Sequence, residues 1–119
     1  METLKVSENI LKYIKFLDTG RAEIQKRAQR KAETIAEYEK QLAVTILRLY
    51  HQKLTEFEEQ EIGKLPATLI EKTAKGICWK ERLAMEQAEA EYKNAVVGMS
   101  ALEAQLNGLQ SLNRHLAEL

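Results

Sequence analysis

The second half of the chain carries a heptad seam. Met85, Ala88, Tyr92, Ala95, Met99, Leu102, Leu106 and Leu109 alternate at spacings of three and four, and Leu116 resumes the phase. Residues at these steps share one side of an α-helix, and an apolar stripe this long needs another helix to cover it. With only five glycines and one proline in 119 residues, the chain has too few turn residues for an all-β or α/β fold. The expected fold is all-α: an elongated, coiled-coil-like antiparallel helical hairpin with an additional N-terminal helix, forming a single helical domain over 1–119. No β-sheet is expected.

Three segments follow from the apolar spacing. The first covers about 4–18, with Ile10, Leu11, Ile14 and Leu17 on one face, and Gly20 as its stop. The second covers 21–61, where Ala28, Ile35, Leu42 and Leu49 recur seven apart. A helix of that length is a rod of roughly 60 Å. Ile62-Gly63-Lys64-Leu65-Pro66 is the main turn, because proline pushes the residue before it out of the helical region. Thr68 and Glu71 have the spacing of a capping box for the third helix, 67–118, with a possible division at Gly76. Gly98 and Gly108 lie within that helix and mark expected points of close helix approach.

The short turn forces the second and third helices antiparallel. If it centres near Lys64, residue i faces roughly residue 128−i, and the second helix runs out before it reaches the C-terminal leucines. Leu109, Leu112, Leu116 and Leu119 are then covered either by a first helix that continues through Gly20, or by a second subunit if that helix folds back. The fold-back is the expectation, and with it a homodimer. Asn113 interrupts the seam, either to fix register through a polar partner or because the C-terminus frays.

Formal net charge is zero, with 18 basic and 18 acidic side chains, so the whole molecule has neither the basic excess of a nucleic-acid coat nor the acidity of a DNA mimic. The charge is nevertheless segregated. Residues 1–31 hold eight basic and four acidic side chains, and residues 32–62 hold three and seven. Within the first block Arg21, Lys26, Arg27, Arg30 and Lys31 form the best candidate surface for phosphates or an acidic partner. They lack interleaved aromatics for stacking on bases, and a solvated basic face is the plainer reading.

The lone cysteine, Cys78, excludes an intramolecular disulfide and reads as a reduced, packed thiol. Lysines at 5, 12 and 15 interrupt any signal-peptide core, and no apolar run approaches a bilayer span. The chain therefore reads as cytoplasmic, with no membrane partner. His51 and His115 have no metal-ligand spacing, the glutamate runs fit solvated helix faces, and no phosphate loop or nucleophile elbow is present. No enzyme activity, cofactor or metal is expected. Trp79, the single tryptophan, is either an anchor for a protein partner or packed locally against Tyr50 or Phe57.

Two stretches, Glu71-Lys-Thr-Ala-Lys-Gly-Ile-Cys-Trp-Lys-Glu81 and Ala104-Gln-Leu-Asn-Gly-Leu-Gln-Ser-Leu-Asn-Arg-His-Leu116, resemble small helical proteins encoded by bacteriophages and prophages. The resemblance covers about the last 50 residues and transfers no functional residue. It implies an accessory protein acting on a host or phage macromolecule, in the host cytoplasm if phage-encoded. The leading expectation is a non-catalytic protein-binding factor, with host replication or defence machinery as the kind of target the resemblance suggests. The alternatives are a nucleic-acid accessory protein of recombination or replication using the basic helix, and a structural coiled-coil assembly component.

Overall fold

A computed structural model describes residues 2–119. The chain is essentially all-α, but the expectation of no β-sheet fails, because residues 56–61 form a small two-stranded antiparallel sheet. It runs α1 (Glu2–Tyr50), a hairpin of two short strands, β1 (Glu56–Phe57) and β2 (Gln60–Glu61), then α2 (Ala67–Ile77) and α3 (Trp79–Glu118). It divides into two units, residues up to Gln29 with Ala90–Leu119, and Arg30–Glu89.

In the first unit the covered positions of α1 are Val6, Ile10, Tyr13, Leu17, Gly20, Ile24 and Arg27, in alternating steps of four and three. Tyr92, Ala95, Met99, Leu102, Leu106, Leu109, Asn113 and Leu116 of α3 keep the same alternation. The seam is therefore the buried line of α3. Gly20 lies against Met99, and Arg27 Nη1 donates to the Glu91 carbonyl at 3.2 Å, so the two segments are antiparallel.

Gly20 does not stop a helix. The separate helices expected at 4–18 and 21–61 are replaced by one helix of 49 residues. Gly20 is instead a point of close packing, where a Cβ would stand 2.9 Å from Cε at the flexible end of Met99. Glycine leaves that space open, at a helix cost of about 1 kcal/mol relative to alanine. Close approach at Gly98 and Gly108 is likewise corrected, since a Cβ at either would meet nothing within 4 Å. Because α1 does not fold back, two of the four C-terminal leucines gain cover within the chain. Leu109 and Leu116 are half-buried, whereas Leu112 and Leu119 remain 45% and 89% exposed.

The second unit has a core of small side chains. Ala74, Cys78 and Ala88 are buried, as are Thr45 and Leu49 of α1. Ile35 and Leu42 are half-buried as their heptad spacing implies, but Ala28, in the first unit, is exposed. Thr45 faces Cys78, where the 128−i register would have put Leu83, and in the first unit Gly20 faces Met99 in place of Gly108. The register moved because the chain reverses at the β-hairpin, several residues before Lys64.

The end of α1 explains that earlier reversal. Gln52 has φ 55°. Its N–H donates to the Leu49 carbonyl at 3.2 Å, while Lys53 N–H donates to that of Arg48 at 2.9 Å. This is a Schellman motif with glutamine in the position glycine usually takes. The helix thus ends at Tyr50 and not at Glu61. Next, Glu56 pairs with Glu61 and Phe57 with Gln60 around Glu58 and Glu59, whose φ values are 49° and 66°. Two successive left-handed residues make a type I′ turn, which matches the twist of the strands.

Pro66, with φ −60° and ψ 150°, leads directly into α2 without a side-chain cap. The capping box does not form, because the helix has already begun at Ala67 and Thr68 lies inside it. The division expected at Gly76 falls at Cys78, where ψ opens to 27°. Helical bonding continues across it: Cys78 N–H donates to Ala74 at 3.0 Å and Arg82 N–H to Cys78 at 3.1 Å.

Relief of the left-handed strain gives a direct test. A non-glycine residue in this region costs about 1–2 kcal/mol, and the added flexibility of an unfolded glycine returns about 0.5–1 kcal/mol. Gln52→Gly is expected to stabilise the protein by about 0.5–1 kcal/mol. Urea unfolding should show a higher midpoint with an unchanged slope.

Candidate protein-docking surface

The covered side of α2 and α3 in the second unit passes through Ala74, Cys78, Glu81, Met85 and Ala88. The opposite line, Leu69, Lys72, Gly76, Trp79, Leu83 and Glu86, advances in steps of three and four and is exposed throughout. It forms a second helical face. Around Trp79 and Leu83 lies an open groove of about 480 Å³, also lined by Lys72, Lys75, Gly76, Arg82 and Glu86. Trp79 and Leu83 are each 46% exposed.

Trp79 therefore presents much of its ring to solvent. Tyr50, one of the two rings considered for local packing with Trp79, is 67% exposed and stands edge-on to His51 with centroids 5.1 Å apart. The Lys80 ammonium lies 5.5 Å from the centroid of the Trp79 ring, a cation–π contact. Lys75 pairs with Glu71 and Arg82 with Glu86, each at 3.2 Å. These exposed i,i+4 pairs add little stability, but they hold long side chains along the groove edges. Leu69 and Leu83 escaped the sequence reading. Their signal was present, because both lie on the helical face of Trp79.

The five basic candidates are not gathered into one site. Arg21, Lys26 and Arg27 belong to the first unit and Arg30 and Lys31 to the second. Arg21 pairs with Asp18 at 3.2 Å, and Arg27 with Glu23 at 3.0 Å while also bonding Glu91 across the seam. Lys26 and Arg30 are exposed, and Lys31 is half-buried. Arg27 is thus engaged in helix pairing. Binding to duplex DNA is expected to be weak and lost between about 50 and 200 mM salt, as for contacts to phosphate alone. Fluorescence anisotropy with a labelled duplex checks this. Tight, sequence-selective binding at physiological salt would contradict it.

Cys78 is buried, 3% exposed, and its Sγ lies 3.3 Å from Thr45 Oγ1. Either atom can donate, and the pair satisfies the one buried hydroxyl on the α1 side of this core. A thiol so placed is expected to resist a disulfide-exchange reagent in the native protein and to react in full once denatured. A thiol titration with and without denaturant measures this. Rapid native reaction would show that the Cys78 interruption opens readily.

Asn113 sits at a half-buried position of the seam. The helix continues to Glu118, and the Asn113 Oδ1 atom is buried with no hydrogen bond among the described residues. Such an atom costs about 1–3 kcal/mol. No three His, Cys, Asp or Glu side chains converge in a metal-binding group among the described residues. No helix there is long and apolar enough to cross a membrane.

Fold and surface together define a helical protein with an outward apolar groove on paired helices. No protein-family model, curated protein or solved structure matches the chain.

Proposed function

We propose that this chain is a non-catalytic protein-binding accessory protein, and that the Trp79 face of α2 and α3 is its working surface. The observation that carries the reading is the half-exposed indole of Trp79, set with Leu83 in a groove on the side turned away from the core. A large aromatic ring at the centre of an apolar groove with a charged edge has the make-up of a binding hot spot. Trp79, Lys72, Lys75 and Gly76 of the groove lie in the Glu71–Glu81 stretch that resembles phage-encoded helical proteins. That resemblance supports a host or phage protein as the partner, bound in the host cytoplasm. Such a factor acts by occupying a surface, so it needs no reaction centre.

The test is affinity capture from cells carrying the gene, using wild type and Trp79→Ala in parallel. One stoichiometric protein is expected with wild type. Loss of the indole should weaken it by about 2 kcal/mol or more, roughly thirtyfold in affinity. Circular dichroism and the thermal midpoint should stay close to wild type, because the ring is not part of the core. Absence of a stoichiometric partner, or one retained equally by the variant, would overturn the reading.

A further inference from the structure

The Trp79 groove carries more than an exposed ring. Lys72, Lys75 and Arg82 line it, and the Lys80 ammonium lies over the indole. Against these four cations stand two carboxylates, Glu71 and Glu86, each in an exposed i,i+4 pair. A third carboxylate nearby, Glu81, belongs to the covered side. Among the described residues, neither Lys72 nor Lys80 is paired with a carboxylate. The face is thus two charges positive on a chain whose net charge is zero. Its floor also has a notch. Gly76 is exposed, with Lys72 and Trp79 one helical turn away on either side, and a Cβ there would meet nothing within 4 Å. Glycine weakens a helix relative to alanine. The φ of Gly76 is not positive, so neither packing nor backbone conformation calls for glycine at this position.

We infer that the groove receives an acidic amphipathic helix of the partner protein, with one large apolar side chain seated over Gly76 and carboxylates set against Lys72 and Lys80. The inference rests on the docking role proposed for Trp79 and adds what kind of segment docks there. Charge selects the sign. A basic segment would bring like charges onto Lys72 and Lys80, whereas an acidic one meets two cations that no carboxylate of this chain engages. The walls select the helix. Every residue lining the groove belongs to α2 or α3, so it offers no strand edge to which an extended segment could add. A helix satisfies its own backbone hydrogen bonds and presents apolar anchors at steps of three and four. Length agrees, since the face from Leu69 to Leu83 runs roughly 20 Å, about four helical turns. The missing side chain at Gly76 supplies depth beside Trp79 and Leu83, and anchors that dominate binding sit in such recesses.

Selection of a display library of helix-forming peptides, about four to five turns long and randomised along one face, on the purified full chain tests the inference. Enriched peptides should carry a large apolar residue flanked by Asp or Glu and be more negative than the starting library. In fluorescence anisotropy, a labelled enriched peptide should bind Gly76→Leu at least about tenfold more weakly than wild type. That substitution fills the notch with a better helix former, so helix content by circular dichroism should be unchanged or higher. Lys72→Glu/Lys80→Glu should also cost about tenfold or more, and binding to wild type should weaken as salt rises. Neutral or basic binders, acidic binders that hold Gly76→Leu as tightly as wild type, or no enrichment at all would overturn the proposal. Binders lost with Trp79→Ala but indifferent to the other two variants would reject this inference and leave the docking reading standing. Acidic binders indifferent to Trp79→Ala would reject both. Tight binding of duplex DNA that is lost with both Trp79→Ala and Lys72→Glu/Lys80→Glu would assign the groove to nucleic acid and likewise overturn the proposal.

Discussion

Gly20 of α1 packs against Met99 of α3 in the first unit, and the run of α1 past position 20 is what lets its early residues cover the end of α3. With glycine at 20, the methionine thioether settles against the backbone of α1 and is buried. Burial of such a side chain contributes about 1.5–3 kcal/mol, which exceeds the helix propensity lost at the glycine. The helix runs on, and residues before Gln29 cover the end of α3. Had Gly20 adopted a left-handed conformation and turned the chain back, the leucines from 109 onward would have lost that cover.

The second unit reaches close packing by another route. Its core residues are small on the α2–α3 side, where Ala74, Cys78 and Ala88 face a helix presenting Thr45 and Leu49. Small side chains on one partner bring the helix axes together but bury little area. The larger apolar groups of α2 and early α3, Leu69, Trp79 and Leu83, are consequently displaced to the outer face. The same choice of residues that tightens the seam also supplies the material of the candidate docking groove.

The heptad seam of α3 was legible down to individual residues, because a single dominant period left no competing assignment. The start of α2 after Pro66 was legible for the same kind of reason, proline being unambiguous, but the turn expected at Ile62–Pro66 was misplaced, since the chain leaves the helix after Tyr50 and reverses at the β-hairpin. The end of α1 was not legible. Gln52 takes a left-handed conformation that the sequence advertises with neither glycine nor asparagine, and Glu58-Glu59 gives no hint of a type I′ turn. Those two omissions shifted the inferred register. Gly20, by contrast, was visible but ambiguous: glycine ends helices and also admits close neighbours, and only the position of Met99 decides between the two. At the candidate site Trp79 stood out by its rarity, while Leu69 and Leu83 were lost among many other leucines. The basic cluster looked continuous in sequence, yet helical geometry turned Arg27 and Lys31 toward covered positions.

The place of the hairpin between the two helical arms also bears on the order of assembly. Thr45 and Cys78 lie 33 residues apart, whereas Gly20 and Met99 are more than twice as distant along the chain. Closing the longer loop first costs about 0.8 kcal/mol more in chain entropy. Once the second unit has formed around the hairpin, most of that loop is already closed, and each further heptad needs only a short extension. Folding on this basis zips outward from residues 51–66 toward the two chain ends. Fraying runs in the reverse direction, so the terminal turns of α1 and α3 would open first.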